Sequence, residues 1–227
     1  MCGRFTITVS KDELRKYLKE YYEIDELKDE IEVPRYNVAP GQKIISIIND
    51  GKKNRVGLLQ WGFVPPFAKD EQIGNGMINA RSETLHEKSV YKASFEHKRC
   101  VILADGFYEW KKEKNNKIPM RVLMKDKTIF PMAGLWSTHE KADGSKLHTC
   151  TIVTTQANEL VSSIHERMPV ILTEDHRKTW LNPRISDYKL LWTLLKPYEP
   201  NQMFAYPVSS VVNRASHDEP ECIEQIA

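Results

Sequence analysis

The chain reads as an α+β protein. We expect one β-rich domain over residues 1–227, built on an antiparallel barrel-like sheet with helices at its periphery. Two observations predict this. Apolar runs are short and are separated by turn signals, so the regular strand–helix alternation of a doubly wound sheet is missing. A length of 227 residues also lies within the range of a single β-rich domain.

Each element has its own signal. Ser10 with Glu13 three residues on forms a capping-box pattern, and Leu14, Tyr17, Leu18 and Tyr21 follow at helical spacing, predicting an early amphipathic helix. The runs 44–48 and 56–61 flank Asn49-Asp50-Gly51, and Asp-Gly suits a tight reversal, so they predict a hairpin. Further strands are expected over 100–104, 120–124, 128–132, 148–154 and 170–173. Helices are expected over 156–164, 174–181 and 186–195. No internal repeat, low-complexity tract or linker interrupts the series.

A hydrophobic content of 41% with 28% charged residues is that of a globular chain, not a disordered one. The net charge is only +2, below the basic excess of many nucleic-acid modules, so any DNA contact would come from a local patch. No apolar run is long enough to span a bilayer and the polar N-terminus lacks a signal-peptide core, which predicts a cytoplasmic protein with no membrane partner. Cys2, Cys100, Cys150 and Cys222 are scattered without C-x-x-C spacing, which argues against disulfides and a zinc site. Neither a metal nor a cofactor is expected. Cys100 and Cys150 lie in apolar runs and read as buried strand residues.

Cys2 is the most informative position. Residue 2 is small enough for Met1 to be trimmed, which would leave a free α-amine and a thiol on one carbon. Their unperturbed pKa values, near ~7.7–8 and ~8.5, leave both partly nucleophilic at neutral pH. Such a 1,2-aminothiol adds to an aldehyde as an imine and then closes a thiazolidine ring. That closure is intramolecular, where effective molarities reach ~10⁵ M or more. The competing reading is a small apolar residue packed in the core.

Three internal segments carry polar residues that packing does not require. In Asn79-Ala80-Arg81, the amide and guanidinium are two apart and point the same way from an extended segment, where they could clamp a phosphate or carbonyl; a turn with a surface arginine is the alternative. Glu109 lies among Phe107, Tyr108 and Trp110, whose burial would raise a carboxyl pKa towards that of a proton shuttle, unless strand alternation turns it to solvent. His165 and Arg167 sit in a loop before an apolar run, where the imidazole could move protons and the guanidinium could pair with phosphate; a structural histidine is the alternative.

Taken with the N-terminus, these segments resemble a known family. Met1-Cys2-Gly3-Arg4-Phe5, Pro34-Arg35-Tyr36-Asn37-Val38-Ala39-Pro40-Gly41, Trp61-Gly62-Phe63-Val64-Pro65, Asn79-Ala80-Arg81-Ser82-Glu83-Thr84, Gly106-Phe107-Tyr108-Glu109-Trp110, Ala133-Gly134-Leu135-Trp136 and His165-Glu166-Arg167-Met168-Pro169 resemble, in that order, the SOS response-associated peptidase (SRAP) family. The resemblance covers nearly the whole chain, with Val212-Asn213 matching the family's ending more loosely. It implies a compact β-rich fold with a basic groove leading to Cys2. It also implies a protein that recognises abasic sites in single-stranded DNA and shields them by covalent attachment through Cys2, nucleoid-associated when bound and acting as a monomer. By resemblance, Cys2, Asn79, Glu109 and His165 are the catalytic set. Arg4, Arg81 and Arg167 would hold phosphates, and Trp61, Trp110, Pro40 and Asn37 are candidates to stack on or wedge between bases, core packing being the alternative for both tryptophans. An imine intermediate also permits β-elimination, a strand-cleaving lyase side reaction. Two other classes use the same residues: an N-terminal cysteine peptidase with Asn79 in an oxyanion role, and a non-catalytic single-strand-binding module.

Overall fold

Five strands close a barrel. They are β3 (Lys43–Asn49), β4 (Asn54–Trp61), β6 (Arg99–Ala104), β9 (Phe130–Glu140) and β10 (Lys146–Gln156), numbered in a chain order that also includes β1 (Arg4–Ile7), β2 (Arg35–Val38) and β5 (Asn79–Arg81). The ring runs β10-β4-β3-β6-β9 and returns to β10, because β9 pairs along β10 from Lys146↔Glu140 to Ile152↔Gly134. In this computed structural model, residues 2–114 and 116–226 are described. The 49–54 reversal forms as expected, with Asn49 opposite Asn54 and Gly51 at φ 90°.

A second sheet packs beside the barrel. In it, β7 (Gly106–Glu113), β8 (Asn116–Met124) and β12 (Met203–Pro207) join the first two strands in the order β12-β8-β7-β1-β2. The barrel strands contribute Ile47, Cys100, Val101, Ile102, Leu135, Cys150 and Ile152, all fully buried, to one continuous core. Helix α1 (Lys11–Tyr22) lays Leu14 and Leu18 onto that core behind the predicted Ser10–Glu13 capping box. Helices α2 (Ser89–His97), α3 (Glu159–Ser162), α4 (Glu174–Leu181) and α5 (Tyr188–Thr193) are peripheral; β11 (Arg167–Pro169) adds to the edge of β10. A smaller apolar cluster of Tyr108, Val208, Val212 and Cys222 seats the C-terminal segment on the second sheet.

The α+β, strand-dominated architecture agrees with the sequence reading, and several details correct it. Pairing is not purely antiparallel, since β4 and β5 both run parallel to β10. The strand expected over 128–132 starts at Phe130 and continues to Glu140, because Gly134 lets β9 approach β6; a Cβ there would lie 2.7 Å from Ile102 Cδ1 and 2.8 Å from Cys100 Sγ. The strand expected over 170–173 shifts to Arg167–Pro169, leaving Ile171 with one isolated bridge to Met132. The helix expected over 156–164 shrinks to a single turn, because Gln156 is still paired in β10 and Asn158 caps the turn through Val161 N. Among the described residues no helix is long and apolar enough to cross a membrane.

Candidate functional site

The site lies where the second sheet meets the barrel, and sheet register assembles it. β1 runs antiparallel to β7 with Arg4 opposite Tyr108, so the same register carried past Arg4 brings Gly3 opposite Glu109. Asp105 locks this pair from below: one carboxylate oxygen accepts Thr6 Oγ1 at 2.5 Å and the other accepts Thr8 Oγ1 at 2.6 Å. Gly106 begins β7 where no side chain fits, since a Cβ would meet Arg121 Nε and Thr6 Oγ1 at 2.8 Å each.

Cys2 is fully buried, with Sγ 3.9 Å from the Arg4 carbonyl oxygen. Burial, and secondarily the charge of Glu109, pushes its thiol well above the ordinary cysteine range. Asn79 opens β5, and the parallel pairing of Asn79 with Ile152 fixes it beside Cys2. Its Nδ2 donates to the Cys2 carbonyl oxygen at 2.9 Å, while its Oδ1 is buried without a hydrogen-bond partner among the described residues. The expected removal of Met1 concerns a residue outside the described ones.

Glu109 is only 2% exposed, so strand alternation turns it inward on the face opposite Tyr108. Tyr108 is buried as well, its hydroxyl donating to the Tyr36 carbonyl at 2.7 Å. Desolvation raises the Glu109 carboxyl from 4.5 to about 7. His165 brings Nδ1 to 3.9 Å from Glu109 Oε1, longer than a hydrogen bond and an ion pair only when the ring is protonated. That same Nδ1 lies 3.0 Å from the Arg167 backbone N–H, from which it accepts when unprotonated, and 3.3 Å from the Arg167 carbonyl oxygen, to which it donates when protonated. Burial lowers the His165 pKa, favouring the neutral ring. Cys2, Asn79, Glu109 and His165, distant in sequence, therefore converge through successive contacts.

The residues expected on DNA divide into two groups. Pro40 and Arg81 are exposed, and Arg81 borders a shallow pocket of about 500 Å³ with Gln156, Ser162, Glu166 and Arg167. Trp110 is half-buried, its Nε1 donating to Asn213 Oδ1 at 2.7 Å. Trp61 corrects the stacking expectation: it is 1% exposed, donates Nε1 to the Ile78 carbonyl and packs on the Phe5 ring, so it is core. Asn37 is a second correction. It is fully buried, and its amide nitrogen donates to the Val212, Arg214 and His217 carbonyls, pinning the C-terminal segment rather than meeting a base. Arg4 shares that role, donating to Asn37 Oδ1, to the Val212 carbonyl at 2.6 Å and to the Asn213 carbonyl. Arg167 is committed inside the protein, gripping Glu83 through two bonds of 2.7 and 2.9 Å and the Thr154 carbonyl at 2.7 Å.

Sequence reasoning missed Glu83, whose carboxylate sets the Arg167 guanidinium; its place in the Asn79–Thr84 segment was the available signal. It also missed Asp218, which accepts from the Tyr36 and Asn37 backbone N–H groups and from Arg35, and so ties the C-terminal segment to β2. Phe67, 71% exposed on the loop between β4 and β5, is an aromatic ring that packing does not use.

Fold and site together define a strand-built α+β barrel protein in which a buried cysteine and glutamate meet a half-buried asparagine and histidine at the seam between its sheets. The family described as SOS response associated peptidase (SRAP) matches residues 1–215, and the chain belongs to it. The chain is 50% identical over 226 residues to the abasic site processing protein YoqW of Bacillus subtilis (strain 168), covering 99% of each. It is 48% identical over 230 residues to YoaM of the same organism, also an abasic site processing protein, covering 99% of this chain and 98% of the relative. A crystal structure of a protein from Bacteroides thetaiotaomicron superposes along the full length of both chains, with a TM-score of 0.87 at 26% identity.

Proposed function

We propose that this protein captures abasic sites in single-stranded DNA by bonding covalently to them through Cys2. It acts as one domain and a monomer, without metal or cofactor, at the nucleoid in the cytoplasm. The observation that carries the reading is that an amide and a carboxyl of near-neutral pKa meet at Cys2, with the His165 imidazole beside that carboxyl. The naming of the relatives for abasic-site processing supports the same substrate.

The abasic sugar is mostly a closed hemiacetal. Opening breaks the bond from C1′ to the ring oxygen, which gains a proton, while the C1′ hydroxyl loses one to become the aldehyde. His165 assists this transfer. The Cys2 α-amine, freed by loss of Met1, adds to C1′. A proton moves from the added nitrogen to the oxygen, and water then leaves with a proton from Glu109, giving the protonated imine. Finally Cys2 Sγ bonds to C1′ and its proton passes to the Glu109 carboxylate. The net change is aldehyde plus aminothiol to thiazolidine plus water. Asn79 holds Cys2 through its carbonyl, and its unpartnered Oδ1 is available to the amine or a sugar hydroxyl. β-Elimination from the imine supplies the lyase side reaction.

Arg81 and Pro40 offer exposed contacts for the strand, and Phe67 takes the stacking role that Trp61 cannot. The peptidase reading is weaker here, because Asn79 would have to release the Cys2 carbonyl to serve an oxyanion. Intact-mass spectrometry before and after mixing with abasic single-stranded DNA tests the proposal. It should show a chain lacking Met1 that gains the mass of the oligonucleotide less one water. A chain that lacks Met1 and gains no mass with abasic DNA would refute it.

A further inference from the structure

Arg177, on α4, is a charged side chain that the site above does not use. It is 4% exposed, and its guanidinium lies over the rings of Tyr21 and Tyr22, at 4.4 and 5.1 Å from their centroids. Those faces stabilise a cation but accept no N–H in the guanidinium plane. Two of its nitrogens, Nε and Nη2, are buried without a hydrogen-bond partner. Glu174 Oε1 stands 3.5 Å from Nη2, but it is a mostly exposed carboxylate that Lys178 shares at 3.2 Å. The Tyr17 and Tyr22 hydroxyls interact with it and with each other, but neither saturates Nε and Nη2. Buried guanidinium groups are normally saturated by carboxylates or carbonyls, as Arg99 is here by five carbonyl contacts. Arg177 departs from that rule.

The surroundings indicate what would complete it. Arg177 lines a cavity of about 320 Å³ whose other charged residues are Lys52, Lys178 and Arg184, with no acidic residue in the lining. Lys52 and Arg184 make no ion pair among the described residues. Arg177 also borders a neighbouring cavity of about 570 Å³ that holds Glu174 and Asp126, whereas Asp50 on the hairpin is spent on Arg55 and on the Lys52 and Lys53 backbone N–H groups. The frame is rigid: Asn49 and Asn54 bond to each other across the hairpin, and Asn54 Nδ2 donates to the Tyr22 carbonyl. A planar donor fork at the base of a cavity rimmed by three flexible cations suits a tetrahedral oxyanion.

We propose that Arg177, Lys52 and Arg184 form a second binding site, for a phosphate group, at the far end of the barrel from Cys2. β4 separates the two places. It runs from Asn54 at this cavity to Trp61, whose Nε1 meets the Ile78 carbonyl beside Asn79. At about 3.3 Å per residue that is roughly 23 Å, several nucleotides of strand. The phosphate can come from a nucleic-acid backbone running over the barrel or from a free phosphorylated molecule.

The test uses the full chain labelled with ¹⁵N and follows the Arg177 Nε–Hε resonance, assigned by its loss in Arg177→Lys. Inorganic phosphate is titrated against chloride at matched ionic strength, and in a second arm an undamaged 20-nucleotide single strand is added. The expected result is a saturable shift with phosphate that chloride does not produce, weakened at least about tenfold in Lys52→Glu/Arg184→Glu. A shift with the strand as well assigns the backbone as the source, and a shift with phosphate alone assigns a free ligand. Lys52 and Arg184 are surface residues, so the double variant keeps the site testable if Arg177→Lys does not fold; the resonance is then assigned from the wild-type backbone. No shift in either arm, or an undiminished shift in the double variant, overturns the proposal. Covalent capture at Cys2 is read separately by intact mass, so failure here leaves that reading standing.

Discussion

Replacing Glu109 with glutamine should make the protein more stable and less active at once, and the size of the first effect follows from burial. The Glu109 carboxyl is raised from 4.5 to about 7 by desolvation. A folded-state pKa above the unfolded one means that the native state holds the proton more tightly. The associated stability is fully present below pH 4.5 and is lost as pH rises through 7. A difference of about 2.5 pKa units corresponds to about 3 kcal/mol. Wild type should therefore lose about 3 kcal/mol between pH 4 and pH 8 through this group, whereas Glu109→Gln has no proton to lose there. Urea unfolding followed by tryptophan fluorescence, run on both proteins from pH 4 to 9, measures the difference. It should grow in favour of glutamine from pH 5 and level off above pH 8. Single-turnover cross-linking by the same variant should fall about 10²–10⁴-fold, because an amide neither gives nor takes a proton. A stability difference that does not change with pH would refute the desolvated carboxyl. An undiminished rate would remove Glu109 from the chemistry.

Other outcomes follow from the same geometry. Cys2→Ala should abolish the heat-stable adduct on denaturing gels while leaving an imine that borohydride can trap, provided Met1 is removed. His165→Ala should slow transfer of a pre-formed adduct to excess competitor strand, and transfer at the wild-type rate would return this histidine to a structural role. Arg81→Glu should lower both affinity for undamaged single strand and its salt slope, read by fluorescence anisotropy. Arg167→Glu should instead lose about 2–3 kcal/mol of stability, because it breaks the paired bonds to Glu83 and the bond to Thr154; thermal unfolding separates the two arginines.

How much of this was legible in the sequence depended on whether the signal was local. The α1 capping box, the 49–54 reversal and α4 appeared where expected because adjacent residues specify them. The strands of the second sheet were harder to see. β1 and β2 are four residues each, and they are held by partners far away in sequence, Asp105 and Asp218. The chemical residues stood out because Asn79, Glu109 and His165 are polar where packing has no need of polarity. Trp61 and Asn37 misled for the opposite reason: an indole and an amide suit bases, but equally suit the core and a chain crossing. Their carbonyl partners, Ile78, Val212 and His217, carry no side-chain signal at all.

In the mechanism we propose, the order of bond formation at Cys2 follows from its burial. A thiol raised above its ordinary range stays protonated at neutral pH, so sulfur cannot be the first nucleophile unaided. The amine can be, once Met1 is gone, and its attack leaves water to be expelled with a proton. Glu109, near pKa 7, is half protonated at neutral pH and can give that proton. Having given it, the carboxylate becomes the base that the thiol requires, and it is the charge that most directly faces Cys2. On that mechanism one carboxyl would act first as acid and then as base, which only a pKa close to the working pH allows. Cys2→Ser separates the two steps. It keeps the amine and the proton-donating half, but offers a hydroxyl that a carboxylate cannot deprotonate to any extent. Borohydride should therefore trap the serine variant on abasic single strand, while without reductant the complex should fall apart on heating. A serine adduct that survives heat without reductant would show that ring closure needs neither the thiol nor the Glu109 base.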